Sequence, residues 1–205
     1  MSGVVSIRAA LESAIHAMAG IMPITSSSVA ATTVITTTQS HGLATGSVVS
    51  IVGHTGSTPA IDGVYAVTVT AANKFTIPVN VTVAGTGGAW TATSFENVAF
   101  APPLLSVPYQ QAFILFARPD NSEFGSSHQE LGYMQVNLKY PLQAGTSAVG
   151  ARAELFRTTF RRGASFVSGG VTVNITDTPE ISQGTPDGAM YSVPVKIRFR
   201  AFIPS

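Results

Sequence analysis

The sequence predicts an α+β chain: an antiparallel or mixed sheet with two helices on one face, interrupted by an inserted small all-β barrel or sandwich. Three observations predict it. Two segments carry a helical apolar period, several runs alternate as strands do, and residues 25–92 have a texture of their own. In that middle stretch Thr, Val, Ala and Gly dominate and only Asp62 and Lys74 are charged, whereas both flanks mix charged and apolar residues.

The elements follow in order. Val4, Ile7, Leu11, Ile15 and Met18 recur at three- and four-residue steps, which predicts a helix over 4–18 with these residues on one face. Arg8, Glu12 and His16 share another face at i,i+4 spacing, expected to be exposed, and Gly20 and Pro23 end the helix. The β-branched runs 32–38, 47–52, 64–70 and 74–78 read as strands. Asp62-Gly63 supplies a turn and Ala72-Asn73 a second connection. Beyond Phe95, residues 109–117 and 132–141 read as strands joined by a polar segment. A second helix is expected over 147–162, with Val149, Ala153, Phe156 and Phe160 as its apolar stripe and Gly163 as its left-handed stop. Strands over 170–176 and 191–202 close the chain. The polar segments 119–130 and 178–189 read as loops that order only against a partner. The outer regions, 1–24 and 93–205, are therefore expected to form one discontinuous domain, and 25–92 a second unit inserted into it.

Composition narrows the function classes. Hydrophobic residues make up 45% of the 205 and charged residues only 10%, against a usual charged share of about 25%. So few charges point to an exterior partly covered by other subunits. With 11 Lys and Arg against 10 Asp and Glu, the chain has no global field to concentrate nucleic acid or an anionic membrane. The absence of cysteine excludes disulfides, thiolate catalysis and thiolate metal ligands. No stretch reads as a signal peptide or a membrane span, so a protein used without export is expected.

No catalytic constellation emerges. His16, His41, His54 and His128 lie far apart and in no zinc-binding spacing. His41, before Gly42 at a turn, reads as structural. Gly163-Ala164-Ser165-Phe166-Val167 lacks the second glycine of a nucleophile elbow. In Gly125-Ser126-Ser127-His128 the serines and the histidine are too close in sequence for a nucleophile and its base. Asp120 and Glu123 sit in a segment rich in turn-forming residues. The expectation is no enzyme, no cofactor, no metal ligand and no catalytic residue.

What remains is basic. Arg152, Arg157, Arg161 and Arg162 lie on the second helix, and Lys196, Arg198 and Arg200 occupy alternate positions of the last strand, where Val193, Val195, Ile197 and Phe199 would be buried. Without aromatic interleaving or a groove-reading motif, these cations read first as a subunit interface and second as a DNA contact. The interface residues expected are Lys196, Arg198, Arg200, Arg157 and Arg161, with Glu123 and Glu130 as opposing acids and Glu96 and Glu180 as further candidates.

Two resemblances bear on identity. Ala151-Arg152-Ala153, Leu155, Phe160, Arg162-Gly163, Phe166, Gly170-Val171-Thr172-Val173, Pro179-Glu180-Ile181, Gly184, Asp187-Gly188 and Tyr191-Ser192-Val193-Pro194-Val195 resemble the tail terminator family of long-tailed phages. Ile7-Arg8-Ala9-Ala10-Leu11, Phe95-Glu96-Asn97-Val98, Phe100, Pro102-Pro103 and Pro108-Tyr109 fit the same pattern, so the likeness covers both flanks. It implies a virion structural protein at the head-proximal end of the tail, assembled in the host cytoplasm. Such a protein forms a ring homo-oligomer, a hexamer, that caps the tail tube and joins it to the head-tail connector proteins, with DNA in transient contact as it passes and no membrane. The insert departs from that family. Its His41-Gly42-Leu43, Thr45-Gly46, Val49, Ile51, Gly53, Pro59, Ile61-Asp62-Gly63, Tyr65, Val67 and Asn73-Lys74-Phe75-Thr76-Ile77 resemble the small β-barrel of ubiquitin-activating enzymes that recurs in phage tail proteins. That likeness implies a surface or interaction role without catalysis. The alternative function is a receptor- or glycan-binding tail module acting through the insert.

Overall fold

The computed structural model describes residues 3–96, 100–104, 107–121 and 127–204. Helix α1 (Gly3–His16) buries Ile7, Ala10, Leu11 and Ile15, the face its sequence spacing marks. Seven strands follow: β1 (Met22–Ser27), β2 (Thr33–Thr37), β3 (Val48–Val52), β4 (Gly63–Ala66), β5 (Thr68–Ala71), β6 (Lys74–Ile77) and β7 (Ala89–Phe95). Then come β8 (Tyr109–Phe116), β9 (His128–Pro141), helix α2 (Ser147–Thr159), β10 (Ser165–Ser168), β11 (Val171–Ile175), β12 (Glu180–Ile181), β13 (Thr185–Asp187) and β14 (Met190–Ile203).

The strands run β10-β11-β14-β9-β8-β7-β1-β2-β6-β5, with β12 and β13 also on β14, β3 on β7 and β4 on β3. Every pairing of named strands is antiparallel except β7 with β8, so the sheet is mixed. Together with the two helices this is the α+β class that the sequence predicts. The longest ladder is β9–β14, from Met190 opposite Pro141 to Ile203 opposite His128. On one face of it Met134, Val136 and Leu138 meet Val193, Val195, Ile197 and Phe199. Val149, Ala153, Phe156 and Phe160 from the α2 segment and Ile7, Leu11 and Ile15 of α1 pack onto the same face. Both helices therefore cover one side, as the binary pattern demands.

A second hydrophobic cluster fills the middle segment around Ile35, Ile51, Ile61, Phe75, Ile77 and Trp90. Its strands run β4-β3-β7-β1-β2-β6-β5, and β4 and β5 are separated in sequence by Val67 alone. The sheet must therefore curl until its two ends meet at Val67, yet no pairing between β4 and β5 closes it. The expected barrel is thus an unclosed one. The single strand expected over 64–70 becomes two because the chain leaves β3 after Ala66 and joins β6 from Thr68.

Other elements depart from expectation for local reasons. Strand β1 was hidden by Pro23, which reads as a helix stop; here it points outward, between buried Met22 and Ile24, and its carbonyl accepts the Thr38 N–H. Strand β10 pairs with β11 around Gly169-Gly170, both at positive φ (54° and 80°), the backbone a tight hairpin needs. Segment 178–189, expected as a loop, contributes β12 and β13 to the edge of β14. Arg152 belongs to the buried face of α2, not to its basic exterior. His16, expected on an exposed face, is half-buried with its ring edge-on to Phe95, 5.1 Å between centroids.

Candidate functional site

Directly opposed residues of neighbouring strands project to the same side of a sheet. The uncovered side of the large sheet can therefore be read from its register. Lys196 stands opposite Gln135, Arg198 opposite Tyr133 and Arg200 opposite Leu131; Gln135 in turn faces Phe113, and Tyr133 faces Leu115. Beyond them on the same side are Phe202, opposite Gln129, and Val167, opposite Thr172. Phe113, Leu115, Phe202 and Val167 are all exposed. Glu96, Phe113, Leu115, Tyr133 and Gln135 line a shallow depression of about 240 Å³. A contiguous exposed face that mixes large apolar residues with cations is the composition of a contact surface.

The electrostatics of this face are unbalanced. Alternate residues of a strand lie about 7 Å apart, so neighbouring cations repel by roughly 0.6 kcal/mol even in water. Lys196 is relieved in two ways: its ammonium sits 5.0 Å from the centre of the Tyr133 ring, and Glu180 is its direct partner across β12–β14, although the two side chains form no ion pair. Among the described residues no carboxylate pairs with Arg198 or Arg200.

The acids named from the sequence are placed as follows. Glu96 bonds Arg8 at 3.0 Å. Glu130 projects to the helix-covered side, is buried, and lies 3.2 Å from His128. Glu180 stands beside the cation row, directly opposite Lys196, and Glu123 lies outside the described residues. Arg157 is on the helix side, paired with Glu154 at 2.7 Å and donating to the Pro179 carbonyl; Arg161 is exposed just past the end of α2. The fold thus brings Lys196, Arg198 and Arg200 together and separates them from Arg157, Arg161 and Glu130 by the thickness of the sheet.

Histidine chemistry is committed to structure. His41 is buried; its Nδ1 accepts the Leu43 N–H at 3.0 Å, so the Nε2 proton serves the Ala71 carbonyl at 2.9 Å. His54 donates from Nδ1 to the Gly87 carbonyl at 2.8 Å and meets the Ser27 hydroxyl at 3.0 Å through Nε2. Ser27 also accepts the Gly85 N–H. This serine-histidine contact escaped the sequence reading because the partners are far apart in the chain. Both are buried, and the contact fastens the loops at one end of the middle segment. Asp62 likewise accepts the N–H groups of Gly53 and His54. Ser126 and Gly125 lie outside the described residues. Among the described residues no group of three or more His, Asp or Glu side chains gathers as a metal site, and no helix is long and apolar enough to cross a membrane. In the middle segment Phe75 and Trp90 are fully buried and Tyr65 is half-buried, so its aromatic residues form no exposed stacking platform.

The family model described as "Phage tail terminator protein" matches residues 85–199, more than half of the chain and most of the large sheet with α2. One solved structure is similar at 24% identity, covering 55% of this chain and 81% of its own, with a TM-score of 0.47. No curated protein matches the chain.

Proposed function

This chain belongs to the phage tail terminator protein family, a structural component of the phage tail, and we propose that it closes into a ring at the head-proximal end of the tail tube. There it stops tube growth and presents the surface to which the head-tail connector binds. The work is geometric: no bond is made or broken, and binding energy is spread over repeated contacts. The carrying observation is the open sheet face, where among the described residues Arg198 and Arg200 form no ion pair with a carboxylate and stand beside exposed Phe113, Leu115 and Phe202. A cation row of this kind calls for acids supplied from outside the subunit. Exposed ion pairs contribute only about 0–1 kcal/mol each, but a ring repeats each contact at every subunit, and the flanking apolar residues add buried area. The resemblance noted for the flanks supports a hexameric ring, and DNA passing through its opening would make only transient contact.

Replacing Lys196, Arg198 and Arg200 together by Gln tests this. The expected result is a folded subunit, with unchanged circular dichroism, that no longer forms the ring in light scattering and negative-stain images. A ring of unchanged mass whose one defect is weaker DNA retention would move these cations to the channel wall and overturn the interface.

A further inference from the structure

A second cavity, of about 500 Å³, opens where the two hydrophobic clusters adjoin. Ile21 and Met22 form one wall, Tyr140 and Leu155 another, and Ala148 and Ala151 of α2 the rim. Arg152 lines it and is only 5% exposed. Its Nε and Nη2 donate to the Gln110 side-chain oxygen at 3.3 and 3.0 Å, its Nη1 donates to the Ala19 carbonyl, and its guanidinium lies 5.3 Å from the centre of the Phe156 ring. Every one of these acceptors is neutral. A guanidinium carries five N–H donors, so these three bonds leave two unused, and among the described residues no carboxylate pairs with it. Burial pulls its pKa down to about 10, which still leaves it charged at neutral pH. A buried cation without an anion is an arrangement that folding alone does not favour. If Arg152 served only to tie the end of the α1 segment to β8, an uncharged donor would do so without that penalty.

We propose that this cavity seats an acidic side chain of another tail protein, its carboxylate pairing with Arg152 while its backbone passes over the small rim residues Ala148 and Ala151. The assignment rests on the chain's place in a phage tail. The cation row of the sheet lies on the opposite side from α2, so this contact and the ring contact use different surfaces. The occupant is recognised by charge and by size: a fork of N–H donors selects a carboxylate over the isosteric amide, and the apolar walls cover its methylene groups.

The test uses the full chain and two capped amino acids, N-acetyl-glutamate amide and N-acetyl-glutamine amide, at matched ionic strength, with melting temperature as readout and light scattering on the same samples. The glutamate probe should raise the melting temperature and the glutamine probe should not. In Ala148→Glu the new carboxylate lies one helical turn before Arg152, the favourable i,i+4 order. That variant should melt higher than the wild type without any probe and should lose the glutamate-specific increment, as should Arg152→Met if it folds. Equal responses to the two probes, or a glutamate increment that survives in Ala148→Glu, would overturn the site. Loss of the ring in Ala148→Glu would assign the cavity to a second copy of this chain and overturn the assignment to another tail protein. An absent ring in the wild type, with the glutamate increment intact, would overturn the ring reading and leave this site standing.

Discussion

His16 sets two familiar effects against each other. At the last turn of α1 a positive charge is favoured by the helix dipole, but burial lowers its pKa from the ordinary value near 6.5, and its buried Nδ1 finds no hydrogen-bond partner among the described residues. The burial effect wins. Because the folded state resists protonation and the unfolded state does not, stability is whole above pH ~6.5 and falls as the pH drops below it, with a slope of at most about 1.4 kcal/mol per pH unit. Glu12, one turn earlier, has its pKa raised, chiefly by burial, so its contribution has the opposite sign and is lost as the pH rises above the ordinary carboxylate range. Denaturant titrations from pH 7.5 to 5 on the wild type and His16→Phe isolate the histidine, since Glu12 is common to both. The wild type should lose more stability, and parallel curves would show that His16 does not titrate against burial. Neither this nor Arg152 was legible from sequence. A helical period assigns residues to a face, but half-burial under Phe95, or beneath a connection such as 19–22, depends on where the distant chain passes. The row Lys196, Arg198, Arg200 was legible, because a strand's period of two needs no tertiary knowledge.

At the scale of elements, the readable ones were those long enough to show a period. Helices α1 and α2 and strands β8, β9 and β14 fall close to their expected positions. Strands β12 and β13, of two and three residues, carry no period at all, and they exist because the free edge of β14 offers unpaired backbone groups that they satisfy. Ile181 pairs with Val195 and Asp187 with Met190, Lys139 bonds Asp187, and the Ser182 N–H donates to the Pro194 carbonyl at 2.9 Å. The polar composition of 178–189 therefore marks a paired edge segment and not a loop awaiting a partner. In hydrogen exchange the Ser182 amide should be protected in the isolated subunit, above the level of an unstructured peptide, before any assembly. Exchange at the unstructured rate would return the segment to the loop class. The hairpin β10–β11 is the complementary case: β10 has four residues, begins two residues after the helix stop Gly163, and is too short to show a strand period of its own.

At the scale of the whole molecule, the question is whether residues 25–92 form a separable unit. Among the described residues the two hydrophobic clusters share only Ile21 as a common neighbour. Strand β7 changes partners along its length: Ala89 to Ala92 pair with β3, whereas Thr93 to Phe95 pair with β8. Met22 stands opposite Trp90 on antiparallel strands, so the chain enters and leaves the middle segment side by side. The ends to be joined, Ile24 and Thr93, are offset by five residues in that register, about 17 Å along the strands. A Gly/Ser linker of about eight residues in place of residues 25–92 can span that gap without drawing on the large sheet. The replacement uncovers Val107, Tyr109 and Met190, which complete the second cluster from outside it. Each side chain left in water forfeits up to ~1.5–3 kcal/mol, so the shortened protein should melt well below the parent, yet in one cooperative transition and with helical circular dichroism retained. The unused cation row would be intact in it, and light scattering would then report whether ring formation needs the insert. A shortened chain without helical signal or a melting transition would mean that the middle segment and the large sheet fold as one unit.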